Sequence, residues 1–405
     1  MAGSTIDHLI SVTVFLGAML IFISLFNQTL QTAILYQRHR YLATKCSDLL
    51  DTMLLNPGIP EDWGKSDVTP VGFGLQDPEF TQYRLSPFSL MRLLSSSGDR
   101  VYYSQTGKWY SNVSWGMGGG YFLLQEGDCV NYSTASKLLG INGTYGFRLE
   151  ITPTVNVSIN EIPSSNLKLE ISVLGQSSSF TNATIDYLIF WVNAAKEDGD
   201  AFNGTTKTDG LGLAYLNFNG AQGLPKIDVS QNQTAYTFIA KVNLGGLYGV
   251  GYKSREIITK AGNIIPFIED YENGTILLAH KWGKNDPGSS QASLFFKAAF
   301  YVLPDNFRPI RIDIVKSKEF VNYGQGKPYY VAQIPTSQAG FLIVSYWTGN
   351  DFGMVVMPWG IGTIGFSVIF GGDPAGQEWV AADIRQVIVN GIAYQARLAL
   401  WSLGG

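Results

Sequence analysis

The sequence predicts a mainly β protein in which a long N-terminal α-helix is followed by two or three β domains, one of them a sandwich. Residues 9–26 form a nearly continuous apolar run without charge, and residues 155–254 contain short segments in which apolar and polar residues alternate. Charged residues make up only 15% of the chain, while glycine and aromatic residues are abundant, which is typical of β-sandwiches and loops. A chain of 405 residues can bury more than one core.

The first predicted element is a hydrophobic anchor helix over residues 1–56. Roughly 18 to 20 apolar residues cross the hydrocarbon core of a bilayer as a helix, and the run at 9–26 has that length. It is longer than the apolar core of a secretory signal peptide and lacks a basic start, so we expect a retained span. Arg38, Arg40 and Lys45 follow the span, and the positive-inside rule would place the side of the membrane that carries them in the cytoplasm. Long domains, however, translocate largely regardless of charge.

The helical pattern continues beyond the membrane span. Apolar residues recur at helical spacing at Leu35, Leu42, Cys46, Leu49 and Met53, until Asn-Pro-Gly at 56–58 ends the pattern. A helix of about 50 residues would be about 75 Å long and would project well beyond a bilayer. Its outer half carries one apolar stripe, which we expect to pack either on the head of the same chain or on neighbouring copies.

The remainder of the chain divides by sequence pattern into three segments. Residues 57–154 predict a membrane-proximal β-rich head segment with a short helix near 87–94. Residues 155–254 predict an immunoglobulin-like β-sandwich, with strands at 167–174, 184–192, 211–218 and 235–244 separated by Gly, Asn and Asp turns. Residues 255–405 predict a C-terminal β domain that ends in a hairpin around Asn390-Gly391.

Nine Asn-x-Ser/Thr sequons occur, roughly three times the number expected from composition, which predicts a glycosylated body outside the cell. Asn27 lies within the apolar helix, and we expect it to be unmodified. The remaining N-glycosylation candidates are Asn112, Asn131, Asn142, Asn156, Asn182, Asn203, Asn232 and Asn273. The two cysteines, Cys46 and Cys129, leave two alternatives open: a disulfide between the helix and the first head segment, or two free thiols.

The sequence lacks the patterns of several functional classes. The histidines, at 8, 39 and 280, lie far from a second soft ligand, so no metal site or cofactor is expected. No Ser-His-Asp set is plausible and no HExxH, CxxC or G-x-S-x-G motif occurs, so we expect no enzyme. The net charge of −4 comes without a basic cluster beyond residue 45, which excludes nucleic acid as an expected partner.

Ala2-Gly3-Ser4-Thr5-Ile6-Asp7 followed by the apolar helix resembles archaeal type IV pilin-like proteins with class III signal peptides. The strings within residues 57–160 also resemble the membrane-proximal part of large surface proteins of this kind. In that family a prepilin peptidase cuts after a small residue just before the helix, and an acid near the fifth mature position neutralises a neighbouring subunit's amino terminus. The resemblance implies a cut between Ala2 and Gly3, which would make Asp7 the fifth residue.

Three functional hypotheses follow. The first is a non-enzymatic cell-surface protein, a subunit or minor tip component of a type IV pilus-like filament with a possible adhesive role. The second is a single-pass membrane receptor or adhesin that binds a glycan or an envelope partner through its sandwich and through exposed aromatic residues, for which the candidates are Trp109, Tyr110, Trp115, Trp347 and Trp359. The third is an anchored hydrolase with paired carboxylates. The expected partners are the membrane, other copies or pilin-like subunits, a prepilin peptidase-like enzyme and a surface glycan. The expected location is the cell membrane or a filament, with the body outside the cell.

Overall fold

A computed structural model describes most of the chain. The described residues are 2–403 except 81, 96–97, 115–120, 176–177, 195–198, 231–232, 246, 258, 260–261, 281–292, 303, 305–307, 323–326, 350 and 361–366. The protein is mainly β with a long N-terminal helix, which confirms the fold class predicted from the sequence.

Three α-helices are described: α1 Ala2–Leu55, α2 Pro87–Ser95 and α3 Tyr132–Leu138. The 54 residues of α1 end just before the Asn-Pro-Gly sequence, as predicted, because proline disfavours helical geometry in the residue before it. The strands in chain order are β1 Asp99–Tyr103, β2 Lys108–Ser114, β3 Tyr121–Gln125, β4 Tyr145–Pro153, β5 Asn156–Glu161, β6 Lys168–Leu174, β7 Thr184–Val192, β8 Asp200–Lys207, β9 Leu213–Asn217, β10 Ala235–Leu244, β11 Leu247–Arg255, β12 Ile264–Asp270, β13 Thr275–His280, β14 Leu294–Val302, β15 Ile310–Val321, β16 Tyr329–Gln333, β17 Gly340–Thr348, β18 Asp351–Trp359, β19 Val368–Gly371, β20 Val380–Val389 and β21 Ile392–Ser402.

Residues 155–254, for which the sequence predicts a β-sandwich, form two packed sheets. The first has strand order β5-β6-β9 and the second has order β11-β10-β7-β8. Inward side chains of both sheets share one core, which includes Leu169, Ile171, Ile189 and Phe238. The relation of this sandwich to immunoglobulin-like domains stays a prediction.

The other two predicted β segments are not separate domains. Strand β3 pairs in parallel with β12 in a six-stranded sheet, and β4 lies between β19 and β21 in a four-stranded sheet. Residues 57–154 and 255–403 therefore build one body together, and the sandwich is inserted between them in the sequence. The prediction that residues 255–405 form a domain separate from residues 57–154 is therefore wrong. Local periodicity identifies strands, but it carries no information on which distant strand becomes the partner.

The predicted C-terminal hairpin is confirmed. Strands β20 and β21 pair antiparallel, with Val389 opposite Ile392. Asn390 and Gly391 connect them with φ values of 48° and 75°, the left-handed conformations that a two-residue type I′ turn needs. Alternate residues of the two strands, which share one face of the hairpin, are all buried: Val387, Val389, Ile392, Tyr394, Ala396, Leu398 and Leu400.

The C-terminal part of α1 packs against this hairpin and the core behind it. The buried residues of the stripe are Leu42, Cys46, Leu49, Leu50, Met53 and Leu54. The stripe was expected to pack either on the head of the same chain or on neighbouring copies, and in the structure it packs on the head of the same chain. Leu35, the first residue of the predicted stripe, is 40% exposed because it lies before the point where the helix meets the head.

Candidate functional site

The candidate site is the exposed part of α1, residues 6–41, which we call the projecting segment; the head touches it near its C-terminal end, where His39 meets Trp379. All of these residues are exposed except the half-exposed Gly17, although most are apolar. At 1.5 Å per residue the segment extends for about 54 Å. Within the described residues, α1 is the helix long and apolar enough to cross a membrane.

Three threonine hydroxyls on the projecting segment are hydrogen-bonded within the helix. The side chain of Thr13 donates to the backbone oxygen of Leu9 at 2.8 Å, and Thr29 and Thr32 make the same bond to the residue four positions earlier. A hydroxyl satisfied in this way does not need water, so these residues are compatible with a hydrocarbon or protein environment.

The N-terminal residues singled out by the sequence lie at the free end of this segment. Ala2 and Gly3 belong to the helical backbone of α1, and Asp7 is exposed one turn further along. Asp7 makes no ion pair with another described residue. Its side chain thus stands at the entry of a long apolar surface, where an isolated carboxylate is costly in any environment that excludes water. The predicted cut after Ala2 stays a prediction.

A polar contact fixes the other end of α1 to the head. The guanidinium of Arg385 on β20 forms a bidentate pair with Asp51, with Nε to Oδ1 at 2.9 Å and Nη2 to Oδ2 at 3.2 Å. Nη2 also donates to the Ser47 hydroxyl at 2.9 Å, and the Tyr83 hydroxyl donates to Asp51. The hydrogen bond to Asp51 raises the pKa of Arg385. We call this contact, together with the buried stripe, the helix–hairpin joint.

The two cysteines are free thiols. Of the alternatives left open by the sequence, a disulfide or two free thiols, the structure therefore has the free thiols. Cys46 is buried in the helix–hairpin joint, where its Sγ donates to the backbone oxygen of Leu398 at 3.3 Å. Burial raises the pKa of this thiol to about 11, which keeps it protonated and unreactive at neutral pH. Cys129 is half-buried, and its Sγ donates to the backbone oxygen of Gln125.

The described N-glycosylation candidates lie at the surface. Exposed asparagines are Asn131, Asn142, Asn156, Asn182, Asn203 and Asn273; Asn112 is half-exposed and Asn232 lies outside the described residues. Asn131 caps α3 by accepting from the backbone N–H of Thr134 at 2.8 Å, and the amide of Asn273 donates to Asp270. A glycan at either of these two asparagines would have to coexist with that hydrogen bond.

Two neighbouring aromatic side chains, Tyr102 and Trp109, are exposed on the surface of the head. Trp109 on β2 is 46% exposed and its ring lies 5.3 Å from that of Tyr102, which is 49% exposed on the neighbouring strand β1. The guanidinium of Arg100 lies 4.7 Å from the centre of the Trp109 ring and pairs with Glu126. Sequence reasoning named Trp109 but missed Tyr102, whose facing position depends on the register between the strands. Tyr110, Trp347 and Trp359, named with Trp109 as candidate surface aromatics, are buried, and Trp115 lies outside the described residues.

No group of three or more potential metal ligands occurs among the described residues. No protein-family model and no curated protein matches the chain. Among solved structures the chain is similar to one titled "Biofilm associated protein - BSP domain", with 11% sequence identity and a TM-score of 0.16 over 52% of this chain. The match spans 30% of that structure's length, and a TM-score of this size carries no argument about function.

Proposed function

We propose that the protein is a subunit or minor tip component of a type IV pilus-like filament, with the projecting segment in the filament core and the body outside the cell. The observation that carries this proposal is the combination of an exposed, mostly apolar helical segment about 54 Å long with a head that buries only the last turns of α1. Water does not favour such a surface, so it must be covered by lipid or by other helices.

The charge pattern supports assembly as well as insertion. From residue 9 to residue 37 the helix is uncharged, and Asp7 precedes this stretch. If a prepilin peptidase-like enzyme cuts after Ala2, the new amino group of Gly3 in one copy and the carboxylate of Asp7 in its neighbour can neutralise each other. Pairing removes the cost of a single charge in an apolar core and sets the stagger between neighbouring helices.

The proposal is tested by exchanging Asp7 in the full chain and examining filaments sheared from the cell surface. We expect Asp7→Asn to lower filament yield about tenfold or more, because the amino group of the neighbour loses its partner. Asp7→Glu, which keeps a carboxylate at this position, is expected to assemble. Asp48→Asn is the matched control, since Asp48 is an exposed acid on the same helix beyond the projecting segment.

The native N-terminus is read in parallel by mass spectrometry, and we expect it to begin at Gly3. A mature chain that still carries Met1, or an Asp7→Asn variant that assembles like the unmodified protein, would contradict the proposal. The protein would then be a resident single-pass membrane protein.

A glycan-binding adhesin is the second candidate function, and the exposed pair Tyr102 and Trp109 favours it. Two adjacent exposed rings offer apolar area with little conformational freedom to lose, which is what a binding surface for a sugar ring requires. This role is compatible with a position in a filament, because the pair lies on the body and not on α1.

We expect Trp109→Ala to lower attachment to glycan-coated surfaces at least about fivefold, since truncation of a central aromatic residue typically costs more than 1 kcal/mol of binding. Tyr215→Ala is the control, because Tyr215 on β9 of the sandwich is exposed to a similar extent, 51%, and belongs to neither proposed binding surface. Equal attachment by both variants and the unmodified protein would exclude this surface as the glycan site.

A further inference from the structure

Aromatic and cationic side chains surround α1 at the height where it enters the head. Tyr36 and Tyr41 on the helix are 71% and 62% exposed, and Trp379 on the loop before β20 is 44% exposed. The ring of Trp379 meets that of His39 edge to face, with centroids 4.1 Å apart, so the loop and the helix form one surface. Arg38 and Arg40 lie on the same turns of the helix and are exposed.

The distance along the helix places this ring of residues at a membrane surface. The uncharged residues 9–37 extend for about 44 Å as a helix. This length equals the thickness of a bilayer with its headgroup regions, about 40–45 Å. With residue 9 at the inner edge of the headgroup region, Arg38 lies at the outer edge of the opposite headgroup region. The underside of the head lies directly above Arg38, because Leu42 is the first residue of α1 that the head buries.

We propose that Tyr36, Arg38, Arg40, Tyr41 and Trp379 form a collar that binds the phosphate groups of membrane lipids and seats the head on the outer membrane surface before assembly. The collar rests on the membrane crossing of α1 that the proposed function includes, but it requires neither cleavage nor filament formation. Its ligand class is the phosphodiester headgroup of an anionic lipid.

The chemistry of each group matches that ligand. Arginine binds phosphate oxygens through its fork of N–H donors, and tyrosine and tryptophan rings prefer the boundary between hydrocarbon and water. Arg38 lines a cleft of about 370 Å³ together with His39, Tyr41 and Trp379. Glu378 is the single acid among the described residues that line this cleft, and no ion pair joins it to Arg38. The cations thus remain available for an anionic ligand.

The collar also assigns a role to the cations that follow the span. The positive-inside rule would place Arg38, Arg40 and Lys45 in the cytoplasm, whereas the sequons predict an exterior body. If these cations bind lipid phosphate on the outer surface of the membrane, their positive charge is neutralised there. An exterior body is then compatible with cations directly after the span. Anionic lipids attract such juxtamembrane cations within about a Debye length.

The test uses the full, uncleaved chain in vesicles of phosphatidylcholine with or without phosphatidylglycerol, at a low ratio of protein to lipid. Lipids that carry a spin label at the headgroup quench the emission of nearby tryptophan. We expect the quenched fraction to rise at least about twofold when phosphatidylglycerol is added, because the head then stays on the surface. Trp379→Phe should remove this increase, whereas Trp109→Phe, at an equally exposed residue remote from the collar, should retain it.

A double variant, Arg38→Gln with Arg40→Gln, should reduce quenching in phosphatidylglycerol vesicles to its level in phosphatidylcholine. Quenching that ignores lipid charge, or that is unchanged in Trp379→Phe or in the double arginine variant, would overturn the proposal. Quenching that appears only at high protein density would assign the collar to contacts between copies instead. Retention in the membrane after carbonate washing reports insertion of α1 separately, so a failed collar is distinguishable from a failed span.

Discussion

Arg92→Met is expected to lower the free energy of unfolding by about 3–5 kcal/mol, because it removes one member of a fully buried charged cluster. Arg92 on α2 is 0% exposed. Its Nε donates to the backbone oxygen of Asp128 at 2.7 Å, and Nη1 donates to the backbone oxygens of Trp63 and Val68. One side chain therefore ties α2 to the segment that follows α1 and to the turn before Cys129, and methionine leaves two buried acceptors, the backbone oxygens of Asp128 and Trp63, unpaired.

The measurement is urea unfolding of the detergent-solubilised full chain. Arg100→Met is the control, because the guanidinium of Arg100 pairs with Glu126 at the surface, where the loss of an ion pair changes stability little. Burial raises the pKa of Asp128 to about 6. The deficit of Arg92→Met should therefore be smaller at pH 5 than at pH 7, since protonation removes the carboxylate charge that lost its cation. Equal stability of the two variants would show that the cluster is not needed.

Leu50→Ala is expected to cost about 2–5 kcal/mol, since a large side chain is removed from a closely packed interior. Leu50 is 0% exposed in the helix–hairpin joint, where α1 meets the core behind β20 and β21. The same unfolding measurement applies, with proteolysis between residues 42 and 55 as a second readout of helix detachment. We expect faster cleavage there in the variant.

Leu30→Ala is the matched control for Leu50→Ala, because Leu30 lies on the projecting segment and is 44% exposed. Its truncation should change the stability of the head by less than about 0.5 kcal/mol. An equal effect at both leucines would mean that the projecting segment packs on the head in solution, contrary to the structure.

Local patterns predicted the elements of this protein well. The predicted strands at 184–192 and 235–244 coincide with β7 and β10, and the hairpin turn at Asn390-Gly391 follows from the left-handed backbone that these two residues accept. The apolar stripe of α1 also identified four of the six residues that the head buries, although Leu35 is exposed and Leu50 and Leu54 were missed. Each of these predictions depends on neighbours within about ten residues.

The features that the sequence did not reveal depend on distant residues. The parallel pairing of β3 with β12 and the position of β4 between β19 and β21 join segments that the sandwich separates in the chain. Helix α3 was missed because its seven residues are too few for an apolar periodicity, although Asn131 before them is a typical N-cap. For the candidate site, the contact between His39 and Trp379 was invisible, since 340 positions separate these residues.

The helix–hairpin joint also determines when the protein can complete its folding. Arg385 lies 334 residues after Asp51, so the ribosome synthesises the strands that pack on α1 long after it synthesises the helix. At about 5–20 residues per second, this delay is roughly 20–70 seconds. Throughout that interval the stripe from Leu42 to Leu54 lacks the two hairpin strands on which it packs, and a helix inserted in a bilayer would be kept apart from other unfinished chains. Early insertion would thus act as a safeguard against aggregation, and the head would become coupled to its anchor only after export of the hairpin.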